Sequence, residues 1–396
     1  MNERKLTLLA DRCVSCVTKP CQLGCPLNND IPAFIKEIKN KNYEEAFKIL
    51  SKTTVLMSIC GRVCPHSKQC EGLCAMGVSY KSVSIGSLEA FVGDMALKKK
   101  LWIDSPKNTS KNVAVIGAGP SGLTCAAFLR RNGIGVTIYE KHDYLGGLLV
   151  HGIPDFRLSR KIVKDVTNNI VNLGIDVKYN KCLGKNISLK ELEEKYDAIY
   201  LAIGANVSNN LGIPGENLLN VYGANELLEY KPKINYKKKT FIVIGGGNTA
   251  MDVARTIKRK GASVKVVYHK TLSFMSAEKK EIKAAKKEGV EFIFSTDVTK
   301  IIGNKRVKSV ELKTGDKITN MACDYVVKAI GSHPEEFIKK FKLETNGDNI
   351  KIDSEGRTNN PKIFSGGDIA GTKSTVSWAS RAGRNAAYAI INYLNN

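Results

Sequence analysis

The chain has 396 residues, of which 43% are apolar and 25% charged, enough to bury two or three separate cores and too apolar for a disordered chain. No apolar run reaches the ~18 residues of a membrane-spanning helix, and the start, MNERKLTLLADRC, lacks the apolar stretch and cleavage site of a secretory leader. A cytoplasmic protein with no membrane partner is therefore expected. The formal net charge of +23 raises the question of a nucleic-acid partner, but the basic residues form no aromatic-interleaved ribbon and read as solvated faces, so none is expected.

Eight of the eleven cysteines lie between residues 13 and 74, which marks a separate amino-terminal module. The first group is CVSCVTKPCQLGCP, the second CGRVCPHSKQCEGLC. Between them, IPAFIKEIKNKNYEEAFKIL predicts two short helices, with Ile31, Phe34, Ile35 and Ile38 on one face. Three chemistries compete for the cysteines. Disulfides fit a reducing compartment poorly. Zinc sites use paired CxxC units, and only Cys13 and Cys16 have that spacing. The run C-x2-C-x4-C-x3-C-P resembles a ferredoxin run, whose fourth cysteine serves another cluster. On that reading Cys13, Cys16 and Cys21 hold one cluster and Cys25 begins a second, with Cys60, Cys64, Cys70 and Cys74 supplying the remainder. Cys125, Cys182 and Cys323 read as ordinary buried thiols.

After a polar linker at 102–112, VAVIGAGPSGLTCAAFLRRNGIGVTIYEK reads as strand, glycine turn, helix and strand. Gly117, Gly119 and Gly122 form GxGxxG, and Pro120 and Ser121 open the helix whose amino terminus faces a pyrophosphate. Glu140 closes the next strand, where a carboxylate binds ribose hydroxyls. KTFIVIGGGNTAMDVARTIKRKGASVKVVYHK at 239–270 repeats the unit with Gly245, Gly247 and Ala250, followed by Asn248 and Thr249 at the helix start. The acid is missing from this second copy; Tyr268, His269 and Lys270 stand in its place, which predicts NADPH in preference to NADH. YDAIYLAIG (196–204) and CDYVVKAIG (323–331) end alike and read as the crossings between two nucleotide domains, the second contributing Ala329, Ile330 and Gly331 to the nicotinamide nucleotide site.

SGGDIAGTKSTVSWASRAGRNAA (365–387) resembles the FAD-binding end of two-dinucleotide flavoproteins, with Gly367 and Asp368 in the turn and a helix beginning near Thr375 and Val376. In that family the aspartate holds the ribityl chain, and the helix amino terminus favours the anionic reduced ring. YLGGLLVHGIPDFRL (144–158) resembles its flavin-covering segment, which implies contacts from Gly147, Leu148 and Arg157, with Lys141 and Leu183 as further FAD contacts.

Taken together, GCPLNNDIPAFI, CGRVCPHSKQCEGLC, IGSLEAFVGD, VIGAGPSGL, GGLLVHGIP, GGGNTAMDVAR and FSGGDIAG resemble the family of the small (beta) subunit of NADPH-dependent glutamate synthase. They also resemble the amino-terminal half of dihydropyrimidine dehydrogenase, its bacterial NAD(P)-binding subunit, and the large subunit of bifurcating NADH-dependent ferredoxin:NADP oxidoreductase. The resemblance implies an α/β flavoprotein with two Rossmann-like dinucleotide-binding domains behind an α-helical iron–sulfur domain. The expected domains are 1–108 (two [4Fe-4S] clusters), 109–205 and 332–396 (FAD), and 206–331 (NAD(P)H). It also implies a ligand map of Cys13, Cys16, Cys21 and Cys74 for one cluster, and Cys25, Cys64, Cys70 and Glu89 for the other, leaving Cys60 spare or in place of Glu89. Two departures weaken the NADPH expectation: His269-Lys270 replaces a family Arg-Arg, and Met275-Ser276 replaces Met-Pro.

The implied activity passes a hydride from NAD(P)H to FAD with no protein acid or base, then single electrons through the clusters to a partner, foremost a glutamate synthase large subunit. A pyrimidine-reducing or ferredoxin-linked partner is the alternative. The non-enzyme alternative is a redox-sensing scaffold with structural clusters.

Overall fold

A computed structural model of the chain describes residues 3–101, 106, 109–230 and 232–396; the polar linker expected at 102–112 lies largely outside the described residues. The two helices expected between the cysteine groups are Ile31–Lys39 and Tyr43–Ser51. Asp30 caps the first, accepting the Ala33 N–H at 3.3 Å, and a proline in its first turn removes a donor that would have had no partner. Ile31, Phe34, Ile35 and Ile38 are all buried, each contributing roughly 1.5–3 kcal/mol of burial. Helices Met57–Val63 and Ile85–Lys99 cross with their backbones in contact. A Cβ on Gly61 would stand 2.5 Å from both the Ala90 nitrogen and the Gly86 oxygen. Arg62 and Asp94 pair across the same crossing at 2.5 Å. This crossing brings Cys60 and Cys64 against the helix that carries Glu89.

Contact density divides the chain into two compact units, Met1–Val150 with Asp155–Gly204 and Glu336–Asn396, and His151–Pro154 with Ala205–Glu335. The first contains the cysteine-bearing helices and a five-stranded parallel sheet. Its spatial order is Ile363–Ser365, Ala198–Leu201, Asn112–Ile116, Gly135–Tyr139 and Asp176–Lys178. Strand Asn112–Ile116 is buried at every position but its first, as a strand covered on both faces must be. Helix Pro120–Arg131 covers one face, crossed by the long helix Val376–Asn395. That crossing is close because Gly383 lies on the Ser121 carbonyl, where a Cβ would come to 2.1 Å.

The second unit repeats the parallel arrangement: Val221–Gly223, Tyr325–Lys328, Thr240–Ile244, Ser263–Tyr268 and Glu291–Phe294. Its outer strand precedes the glycine turn in sequence, whereas the outer strand of the first sheet follows its turn by more than two hundred residues. An antiparallel meander, Asp297–Gly303, Val307–Thr314 and Lys317–Ala322, is inserted before strand Tyr325–Lys328. The segments that end alike, Ala198–Leu201 and Tyr325–Lys328, occupy the same position beside the first strand of each sheet.

Candidate functional site

Cys13, Cys16, Cys21 and Cys74 line one recess, walled by Pro20 and Ile31. Lys19, in the left-handed region at φ 44°, turns the chain into the short helix that carries Cys21. Burial first, then the neighbouring Cys13 and Cys74, push the Cys21 thiol up to about 11. The second group is deeper. Burial and then Glu89 push Cys25 up to about 12, while its sulfur accepts N–H bonds from Leu27 and Asn29. Cys70 is raised by burial, Glu89, Cys25 and Cys64. Glu89, 5% exposed, is raised by burial and by Cys64, and Asn29 donates to it at 3.4 Å. Cys60 is fully enclosed and shares a side-chain hydrogen bond with Cys64.

Cys13, Cys16, Cys21 and Cys74 thus lie together, and Cys25, Cys60, Cys64 and Cys70 lie together around Glu89. Glu89 is thus a buried, not a solvated, helix residue. The thiolates and carboxylate of these sets repel one another in a dry site, so their deprotonated forms require a cationic centre. The donors are sulfur and one carboxylate, which suits iron–sulfur. Cys125 and Cys323 are buried as expected; Cys182 is only half-buried, because it lies in the loop before Leu183 rather than in an element.

At the first glycine turn each glycine has a different reason. Gly117 has φ +100°, and a Cβ there would meet the Ala202 oxygen at 2.5 Å. A Cβ on Gly122 would come to 1.9 Å from the Gly117 oxygen. At Gly119, the residue before helix Pro120–Arg131, a Cβ would meet nothing within 4 Å. The protein's own packing does not demand this glycine, and the open space beside it leaves room for the close approach of a ligand. Gly147 (φ +52°) passes over the turn, where its Cβ would stand 3.1 Å from Gly119. Glu140, 4% exposed, accepts the Ala118 N–H at 2.8 Å and the His142 N–H at 2.9 Å. It therefore shapes the turn itself, and each oxygen keeps a lone pair for a ribose hydroxyl.

Ser121 bonds Tyr200 at 2.6 Å and lies against Gly367, where a Cβ would come to 2.9 Å from the Ser121 Cβ. Beside Gly367, burial pushes the Asp368 carboxyl up to about 6, and its Oδ1 has no hydrogen-bond partner among the described residues. Thr375 caps helix Val376–Asn395 by accepting the Trp378 N–H. An open approach over Gly119, an unsatisfied buried carboxylate and a helix amino terminus together fit a dinucleotide carrying hydroxyl groups. Leu148 begins the short helix Leu148–His151, Lys141 follows Glu140 in a bend, and Arg157 stands in the turn before helix Arg160–Val171. The Leu183 side chain is packed in the core with Ile116 and Tyr139, which leaves only its backbone for a cofactor.

The second turn has the same plan. Gly245 (φ +136°) abuts the Ala329 oxygen, at 2.2 Å from a Cβ, whereas a Cβ on Gly247 would meet only the Ser276 hydroxyl, at 3.5 Å. Asn248 accepts the Glu278 N–H at 2.9 Å, which ties the helix start, with Thr249, to the segment after Met275. Gly331 (φ +106°) follows strand Tyr325–Lys328, beside exposed Ile330. The Tyr268 ring lies under Gly246, and its hydroxyl bonds the Phe274 carbonyl at 2.9 Å. His269 and Lys270 are exposed, with the Lys270 Nζ 5.9 Å from the Phe274 ring centre.

Motif reading missed Asn29, buried between Glu89 and Thr53. It also missed Arg384 and Ser377, which reach the cysteine loops from the carboxy-terminal helix. The asparagine pair after CP in GCPLNND is the only local hint of the first, and nothing local marks the other two.

The chain matches the family model of pyridine nucleotide-disulphide oxidoreductases over residues 111–386. It matches that of dihydropyrimidine dehydrogenase domain II, 4Fe-4S cluster, over residues 1–101. It is 33% identical to the glutamate synthase [NADPH] small chain of Escherichia coli K12, over 97% of this chain and 90% of that one. It is also 33% identical to the NAD-dependent dihydropyrimidine dehydrogenase subunit PreT of Escherichia coli O157:H7, over 97% and 93%. Among solved structures, Mycobacterium tuberculosis FprA superposes with a TM-score of 0.63 at 18% identity, over 73% of this chain and 85% of that one, a likeness of fold. No helix among the described residues is long and apolar enough to cross a membrane.

Proposed function

The chain belongs to the pyridine nucleotide-disulphide oxidoreductase family and is an oxidoreductase of FAD, a nicotinamide dinucleotide and 4Fe-4S iron–sulfur, and we propose that it is the electron-input subunit of a glutamate synthase. When bound, the nicotinamide and flavin supply hydride exchange and the iron–sulfur groups supply one-electron steps; the protein contributes binding, orientation and electrostatics.

In this reading Gly117, Gly119 and Gly122 seat the FAD pyrophosphate at the start of helix Pro120–Arg131, Glu140 accepts from the ribose, and Asp368 accepts from the ribityl chain. Gly245, Gly247, Asn248 and Thr249 seat the nicotinamide nucleotide, with His269 and Lys270 facing the 2′-phosphate of NADPH. Cys13, Cys16, Cys21 and Cys74 hold one cluster, and Cys25, Cys64, Cys70 and Glu89 the second. What carries the proposal is that two glycine turns of one plan and two separate cysteine-rich groups occur in one chain. A two-electron donor that acted on a small substrate alone would not need two one-electron relays.

The equal identity to an NAD-dependent dihydropyrimidine dehydrogenase subunit, and the replacement of an Arg-Arg pair by His269-Lys270, favour a second reading with an NADH-linked pyrimidine-reducing partner. The test is anaerobic purification with metal and flavin analysis, then mixing with each candidate large subunit and its substrates. One FAD and two clusters per chain are expected. Cys64→Ala should remove about half of the iron and leave the flavin reducible by NAD(P)H. An unchanged iron count in that variant would sink the ligand map. Turnover of glutamine with 2-oxoglutarate supports the first reading, turnover of a pyrimidine the second, and a flavin that NAD(P)H cannot reduce sinks both.

A further inference from the structure

The helix that begins beside the Gly-Gly-Asp turn, Val376–Asn395, extends into the cysteine-bearing helices of the same compact unit. Near its start, Ser377 and the Gln69 amide exchange hydrogen bonds at 3.2 and 3.3 Å, and Gln69 immediately precedes Cys70. Two turns later, one nitrogen of Arg384 donates to two carbonyls, Leu27 at 2.8 Å and Thr53 at 2.9 Å. Both carbonyls lead to the deeper cysteine frame. Leu27 is two residues past Cys25 and gives its N–H to the Cys25 sulfur. Thr53 donates its hydroxyl to the Asn29 side-chain oxygen at 2.6 Å. Asn29 in turn gives its backbone N–H to Cys25 and its side-chain amide to Glu89 at 3.4 Å.

One guanidinium therefore anchors both the loop that presents Cys25 and the asparagine that orients Glu89. Its partners are neutral carbonyls, and no ion pair to Arg384 exists among the described residues. A partly buried cation with no carboxylate beside it favours the more negative state of any anionic group nearby. Net charge and hydrogen bonds to the sulfurs set the potential of an iron–sulfur cluster.

We propose that Arg384 is a positioning residue for the deeper iron–sulfur site, fixing Cys25 and Glu89 through Leu27, Thr53 and Asn29 and raising the reduction potential of that one cluster. The proposal rests on the ligand set of the preceding section. Its test is a redox titration of the anaerobically purified full chain, followed by electron paramagnetic resonance. Arg384→Met keeps the stem and removes the charge. It should move one cluster about tenfold in its one-electron equilibrium toward the oxidised state, ~59 mV lower, with altered g values for that cluster alone and the other unmoved. Arg384→Lys should recover more than half of the shift.

If the Met variant does not hold its iron, Thr53→Val decides the matter. Losing only the hydroxyl that steadies Asn29, it should change the spectrum of the same cluster at full iron content. Wild-type potentials and spectra in all three variants at full iron, or equal shifts of both clusters, would overturn the role of Arg384. Full iron in Cys64→Ala overturns instead the ligand set beneath it, so the two failures are distinguishable.

Discussion

Gly119 and Gly247 occupy the same place in two copies of one strand–turn–helix unit, and at neither does the protein's own packing exclude a side chain. The copies differ in what stands beyond the next strand. After the first turn, Glu140 is drawn inward and bonds the turn's Ala118 N–H, so the acid shapes the loop. After the second, the ring of Tyr268 fills the space under Gly246, and His269 and Lys270 remain outside. They differ again at the third motif position. Gly122 is pressed against the Gly117 carbonyl, while Ala250 carries a Cβ in a fully buried place. One framework thus accepts different ligands by changing what fills the space around a common backbone path.

The largest effect should come from putting a side chain where only a ligand is in the way. Gly119→Val should fold normally yet retain no FAD, and Gly247→Val should keep FAD but lose reduction by NAD(P)H. Flavin content and stopped-flow bleaching would read the two, and flavin retained at wild-type level in Gly119→Val would erase the parallel. Gly122→Ala tests the asymmetry at the third position. It should cost about 1–3 kcal/mol of stability through backbone overpacking, seen as a lowered melting temperature, whereas Ala250→Gly should cost only the ~1 kcal/mol of a helix glycine.

The Asp368 carboxyl, raised to about 6 by burial, gives a pH signature. An acid whose folded value lies above its unfolded one contributes stability below the unfolded value, and loses it as pH rises through about 6. FAD-free Asp368→Asn should therefore be more stable than FAD-free wild type at pH 7.5 by about 1–3 kcal/mol, with no gain below pH ~4 and weaker FAD retention throughout. Melting curves at the two pH values check it. Lys270→Glu should act on nucleotide choice alone. It should weaken NADPH by ~1.5–3 kcal/mol, roughly 10- to 100-fold, and NADH little; steady-state Km values for the two would show whether the exposed lysine faces the 2′-phosphate.

What the sequence made legible was local and periodic. The two glycine turns and the buried faces of Ile31–Lys39 could be read from spacing alone, because strand, turn and helix chemistry is written within thirty residues. Equality of the two short crossing strands was readable because both end in AIG. The depth of Glu89 was not. Helix Ile85–Lys99 is buried on several sides, so no apolar stripe marks the one acid that faces inward. Nor could spacing show that Arg384 meets Leu27, since more than three hundred residues separate them and a lone arginine in RAGRNAA looks like any solvated helix position. The Tyr268 ring under Gly246 was hidden for a similar reason: a tyrosine ending a strand gives no sign of which face it takes.

The outer strand of the first sheet, Ile363–Ser365, is made roughly 160 residues after its neighbour Ala198–Leu201. At a ribosomal pace of ~5–20 residues per second, the half-built sheet waits on the order of 10–30 s with its edge bare. The segment between Ala205 and Glu335 encodes its own complete sheet and can close during that wait. The nascent chain thus finishes its middle before its beginning, and the edge of Ala198–Leu201 is where a chaperone has most to shield.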